Sequence, residues 1–237
     1  MACGAVAVVV ALLVGLIAVS GGDDRSQHRA ASAQAAFDTQ QTEIGSIQAS
    51  MLTGVDFGGE WTVTDQSGLR PDELSWHQPC SYAPGLDADA TVGRSMSLSY
   101  RLRPNGREEG TALVSVRAYR TAAEAQGQFQ ARADPSFGGC VAYFDRREVE
   151  CSCHSAATNL GIATIPPPPG VAAVVYQDTL AYSDNGPQTY HANTAYITSG
   201  RYTALLSIGR VGLPVDQAEF DELLRALSQR LSLHAPS

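Results

Sequence analysis

Residues 95–135 read SMSLSYRLRPNGREEGTALVSVRAYRTAAEAQGQFQARADP. Met96, Leu98, Tyr100 and Leu102 alternate with Ser97, Ser99, Arg101 and Arg103. That period of two predicts a strand with one buried and one wet face. Pro104-Asn105-Gly106 is turn chemistry, and Ala112 to Tyr119 predicts the returning strand of an antiparallel hairpin. Thr121-Ala-Ala-Glu124 is a capping box that opens a helix. Ala122, Ala125, Phe129 and Ala133 give that helix an apolar face, and Asp134-Pro135 ends it.

Further strands are predicted over Val171–Gln177, Thr189–Thr198 and Arg201–Gly209. The last two flank Ser199-Gly200, a hairpin signal. Leu213-Pro214 begins a C-terminal helix, with Pro suited to its first turn. Phe220, Leu223, Leu224, Leu227 and Leu231 form its packing stripe, and Asp216, Glu219, Asp221 and Glu222 suit the dipole at its start. On the N-terminal side, Gly58-Gly59 breaks a short helix and Trp61–Thr64 begins an extended segment. Pro166–Pro169 is a rigid extended spacer. The sum predicts an α+β domain: an antiparallel sheet of five to six strands with helices packed on one face.

The chain has 237 residues, a formal net charge of -8, and no Lys. Lacking Lys, it cannot carry a P-loop, a protein-kinase site or Schiff-base chemistry. The acidic balance argues against nucleic acid, which demands a basic face. Ala2 to Ser20 is uncharged and apolar, close to the roughly 20 residues that a membrane-spanning helix requires. Residues 1–22 therefore read as a signal anchor. A cleaved signal peptide is the alternative, with Ala18-Val19-Ser20 as the small-x-small site. Residues 23–51 read as a linker and juxtamembrane helix, and 52–237 as an extracytoplasmic domain at the cell membrane, or secreted if the signal is cleaved.

Four cysteines follow the apolar segment: Cys80, Cys140, Cys151 and Cys153. An even count behind an export signal predicts disulfides. A Cys151–Cys153 ring would be very tight, which leaves Cys80 with one of that pair and Cys140 with the other. Cys151-Ser152-Cys153-His154 is the alternative soft-metal reading, but its cysteines are closer than zinc sites place them.

The order of these pieces resembles the extracellular sensor domain of actinobacterial membrane kinases of the PknH type, and the stand-alone anchored proteins that share it. The resemblance rests on Met51-Leu-Thr-Gly-Val-Asp-Phe-Gly-Gly-Glu-Trp61, on Trp76 and Cys80, on Val114–Tyr119 with the capped helix and Cys140, and on Tyr190–Leu231. It implies an antiparallel sheet with helices, two disulfides and a cleft for an unidentified ligand. No kinase portion is present, so no phosphorylation output is implied. The spacing Cys151-Ser-Cys153 departs from that pattern, in which the later cysteines lie further apart.

No nucleophile elbow and no His-Glu-x-x-His motif occurs, and the five histidines (His28, His77, His154, His191, His234) are scattered. No catalytic, cofactor or metal residue is assigned. Trp76, Tyr100, Tyr119 and Tyr196 are the candidates to line a ligand cleft, since Tyr and Trp offer an apolar body with a polar tip. Asp145-Arg-Arg-Glu148 reads as a solvated loop. The expected function is an anchored, non-catalytic sensor or ligand-binding domain for a small ligand or envelope component. A structural or protein-interaction module of the cell envelope is the alternative, ahead of a metal-binding protein or hydrolase.

Overall fold

The computed structural model describes residues 42–58, 61–65, 91–102, 108–153, 156–183 and 186–235; for 63–65, 91–102, 108, 148 and 151–153 the backbone alone is described. Residues Thr39–Ser237 form one compact unit, and a separate unit, Met1–Asp38, lies outside the described residues. The predicted membrane segment falls there; among the described residues no helix is long and apolar enough to cross a membrane.

The elements run as helix α1 (42–49), α2 (Gly54–Phe57), strands β1 (Trp61–Asp65), β2 (Thr91–Leu102) and β3 (Glu108–Tyr119), helix α3 (Ala122–Ala133), a 3-10 turn (Pro135–Phe137), helix α4 (Gly138–Cys153), strands β4 (Ala157–Ile165), β5 (Ala173–Ser183), β6 (Pro187–Ser199) and β7 (Tyr202–Val211), and helix α5 (Gln217–His234). The strands make a single antiparallel sheet in the order β1-β2-β3-β7-β6-β5-β4. It has seven strands where five to six were expected. The strand missed is β4, which lies at the edge and leaves Leu160, Gly161, Ala163 and Thr164 exposed. With both faces partly wet it carries no alternation to read.

Helices cover both faces of the sheet, which corrects the one-face expectation. Ala112, Val114, Val116, Ala195, Ile197, Ala204, Leu206 and Ile208 pack with Phe220, Leu223, Leu224, Leu227 and Leu231 of α5 and with Ile47, Met51 and Leu52 beside α1. The alternate residue Tyr196 packs instead with Phe137, Cys140, Val141, Val174 and Tyr176. Successive strand residues point to opposite faces, so α3 and α4 lie on the side away from α5. The folded unit thus takes in residues that read from sequence as a juxtamembrane helix.

Local signals set the helix ends. Asp216 Oδ1 accepts from Ala218 N at 2.9 Å and Glu219 N at 3.2 Å to open α5. Thr121 and Glu124 form the predicted box at α3: Thr121 N donates to Glu124 Oε2 at 3.0 Å and Glu124 N to Thr121 Oγ1 at 3.1 Å. The buried face of α3 is Ala125, Gln128 and Ala131, whereas Ala122 and Ala133 are exposed. The helix is therefore rotated from the apolar face expected of it. Asp145-Arg-Arg-Glu148 lies in α4 and is not a loop; Asp145 is 6% exposed.

The Tyr190 ring of β6 lies over Gly209 of β7, in the space a side chain there would fill. A Cβ there would fall on the Tyr190 hydroxyl. Gly209→Ala is expected to cost about 1–3 kcal/mol by overpacking. Leu224→Ala, in the fully buried stripe, is expected to cost about 2–5 kcal/mol. Leu160→Ala, on the open edge, should stay within about 0.5 kcal/mol. Urea unfolding midpoints at unchanged slope measure all three.

Candidate functional site

The two faces of the sheet differ in chemistry. The face under α5 is chiefly aliphatic. The opposite face sets buried polar groups among aromatic rings: Ser115 of β3, Thr194 of β6 and Asp178 of β5 from the sheet, with Gln128 of α3 and Asp145 of α4 above them. Burying a polar group costs free energy unless a partner compensates. Some of these groups are compensated in plain view. Thr194 Oγ1 and Ser207 Oγ share a hydrogen bond at 2.9 Å. The Tyr176 hydroxyl donates to the carbonyls of Arg132 at 2.7 Å and Asp134 at 3.2 Å. It thereby satisfies the open C-terminus of α3.

At the centre stands Arg132. Its guanidinium carbon lies 5.5 Å from the centroid of the Tyr196 ring, a cation–π distance. Its Nη1 donates to Gln128 O at 2.7 Å and Gln128 Oε1 at 3.2 Å. Phe137 meets the Tyr196 ring edge-on at 5.4 Å and the Tyr176 ring at 6.1 Å, spacings that aromatic pairs favour. Burial lowers the Arg132 pKa; nearby Tyr119 and Tyr196 oppose that shift and the Arg117 charge adds to it. Burial also pushes the Tyr196 phenol well above its ordinary range, opposed by Arg132 and reinforced by Asp145.

Of the four residues expected to line a cleft, the structure brings two together. Tyr119 ends β3 and Tyr196 lies on β6, and both act on Arg132. Both are closed from solvent, Tyr119 completely. Tyr100 is registered against Thr111 in the β2–β3 pair, and its side chain lies outside the described residues. Trp76 and Cys80 lie outside them altogether. Cys140 is disulfide-bonded and its partner is outside the described side chains. The backbones of Cys151 and Cys153 belong to the last turn of α4, where residues two apart do not face each other.

Sequence reading missed Arg132 and Arg117. The available signal was Arg132 at four residues from Gln128 on an otherwise small-residue helix. It also missed Arg201, in the β6–β7 turn. Arg201 Nη1 donates to Tyr119 O at 3.0 Å, and Tyr119 N returns a bond to Arg201 O at 2.9 Å. Arg201 Nη2 pairs with Glu43 of α1. One guanidinium therefore ties the Tyr119 backbone to the first described helix. Among the described residues no group of three or more His, Cys, Asp and Glu could hold a metal ion.

The chain is similar to the extracellular domain of PknH from Mycobacterium tuberculosis. The crystal structure of that domain superposes with a TM-score of 0.46 at 15% identity, over 79% of this chain and 95% of that one. It is the kind of domain that the order of motifs resembles. No family model matches the chain, and no curated protein does.

Tyr176, Tyr196 and Tyr202 all have raised pKa values, with burial as the chief cause in each. The folded chain therefore holds protons that the unfolded chain releases near pH 10, an ordinary tyrosine value of about 10. The stability from these phenols is complete below that pH and declines as pH rises beyond it. Tyr196→Phe keeps the ring over Arg132 and removes the titrating group. Urea unfolding measured from pH 8 to 11 should show a shallower alkaline loss in that variant than in the parent.

Proposed function

We propose that residues 39–237 form a non-catalytic, extracytoplasmic sensor or ligand-binding domain, attached to the membrane through residues 1–22. Its ligand is a small molecule or a component of the cell envelope. The single observation that carries this reading is the sheet's second face, where Arg132, Tyr119, Tyr196 and Gln128 converge beneath α3. A core serving stability alone gains little from a half-buried guanidinium, because an apolar side chain of similar size would pack at a smaller desolvation cost. The converging groups are hydrogen-bond donors and rings, suited to recognition. No nucleophile stands paired with a base among them. The bond from Arg201 to both Tyr119 and Glu43 supports a sensor in particular. It gives a change at Tyr119 a route to α1, the helix that follows the linker.

The disulfides of this reading are Cys80 with Cys151 or Cys153, and Cys140 with the other. They suit an oxidising compartment, and each contributes about 2–4 kcal/mol.

The test is mass spectrometry of the full chain, exported and held in detergent, first native and then denatured with thiol alkylation. The expected result is a non-covalent adduct that is lost on denaturation, with Cys80, Cys140, Cys151 and Cys153 all unlabelled. A bare native mass from chain taken directly from its own membrane would favour the interaction module. Labelled cysteines with a retained metal would overturn the reading.

A further inference from the structure

The arginine cluster is more specific than a generic ligand site, and its unmet bonding capacity identifies the chemistry it would take. Arg132 spends Nη1 on Gln128. No hydrogen bond of Nε or Nη2 to a carboxylate, and no ion pair of Arg132, occurs among the described residues. Arg117 of β3 is half-buried on the same face, and its charge reaches both Arg132 and Tyr196. It too makes no hydrogen bond or ion pair among the described residues. Two guanidinium groups thus share one face of the sheet. In a chain with 24 acidic residues against 16 basic, that arrangement is costly, because like charges repel and each loses hydration. The buried acids of this layer, Asp145 and Asp178, are engaged with other groups.

A third donor completes the set. The Tyr119 side chain is fully buried, and its hydroxyl has no hydrogen-bond partner. It stands beside the Arg132 guanidinium. A buried hydroxyl left unsatisfied is destabilising, because it has given up its bond to water. Arg210 of β7 shows the contrast. Arg210, on the α5 face, is 9% exposed and pairs with Glu109 at 2.7 Å. There the chain supplies the anion; at Arg132 it does not.

We propose that Arg132, Arg117 and the Tyr119 hydroxyl form a binding site for an oxyanion, a carboxylate or phosphoryl group borne by the ligand. The Nε/Nη2 edge of a guanidinium presents two parallel N–H donors that match two oxygens of either group. Arg117 supplies the second positive charge and Tyr119 an O–H donor. The Tyr196 ring holds the Arg132 plane from one side and fixes the direction of the fork. This inference rests on reading the second face as a ligand site, and it adds the charge and shape of the group bound.

The test uses the full chain in detergent at fixed ionic strength. Thermal unfolding is followed against inorganic phosphate, succinate and chloride, and arginine labelling by phenylglyoxal is mapped by mass spectrometry with and without each anion. The expected result is a saturable rise in melting temperature with phosphate or succinate, absent with chloride, and protection of Arg132 and Arg117 by the same anion. Saturation by succinate alone assigns a carboxylate, and by phosphate alone a phosphoryl group. Arg132→Gln and Arg117→Gln should each weaken the anion about ten- to a hundredfold, the loss of a charge-assisted hydrogen-bonded contact. Arg132→Lys, which keeps charge without the fork, should fall between. The labelling arm needs no variant, so a misfolded variant leaves the test intact. Equal response to all three anions with no protection of either arginine overturns the site. A native adduct that persists undiminished in Arg132→Gln overturns it too, while leaving the ligand-binding reading standing. No adduct and no saturation removes both.

Discussion

Everything in this fold depends on β6 and β7 being covered on both faces. From Ala192 to Ile197, six consecutive residues are buried. Since neighbours point to opposite sides of a sheet, such a run requires a layer above and a layer below. The leucine stripe of α5 supplies one layer and α3 with α4 supplies the other. The strand order follows. The two halves of the chain, β1 to β3 and β4 to β7, meet at the β3–β7 pairing. The helical segment between them, α3 to α4, passes over the second face on its way from β3 at the middle of the sheet to β4 at its far edge.

The two layers do different jobs. Against α5 the sheet presents small and aliphatic side chains, and burial there accounts for stability in the ordinary way. Against α3 it presents hydroxyls, phenols and guanidinium groups. Holding them out of water is unfavourable unless each is paired. Most are paired, by Tyr176 on the end of α3 and by Thr194 with Ser207. Unmet atoms remain on both faces, the Tyr119 hydroxyl and Asp178 Oδ2 on this side and the Tyr202 hydroxyl and Arg210 Nε on the α5 side; of these, Tyr119 is the one that adjoins Arg132.

Much of the architecture was legible because its signals are local. The alternation in residues 95–103, the Thr121–Glu124 box, the Ser199-Gly200 turn and the stripe of α5 each need a window of a few residues. The unread parts depend on distant contacts. Edge strand β4 is wet on both sides and shows no period. Helix α4 begins with Gly138-Gly139 and carries a charge cluster, which suggested a loop. Folding separates that cluster, with Asp145 turned inward while Arg147 remains at the surface beside Glu150. The sheet's second face was hidden for a related reason. In Val114-Ser-Val-Arg-Ala-Tyr119 the polar alternates look like a solvent face, and only the helix laid over them makes that face an interior. Two tyrosines of the candidate site could be picked by type. The arginines could not, since an Arg in a strand or on a helix ordinarily faces water.

Arg201 joins these layers to the chain's N-terminal side. It sits in the tight turn after Gly200, whose φ of 52° favours glycine, and the turn holds the guanidinium between two elements far apart in sequence. On one side it fixes the Tyr119 backbone, and on the other it pairs with Glu43. Arg230 makes a second such clasp, donating to Met51 O at 3.0 Å and Asp56 Oδ1 at 2.7 Å. The segment around α1 and α2 is therefore held by two arginines as well as by the burial of Ile47, Met51 and Leu52. Of the two clasps, Arg230 engages α5 and the inert face, while Arg201 engages the residue whose hydroxyl lacks a partner. A ligand that pulled the Tyr119 hydroxyl into a hydrogen bond would act on the strand end that Arg201 grips. The stress would fall on the Glu43 ion pair first, because that is the contact of Arg201 outside the sheet.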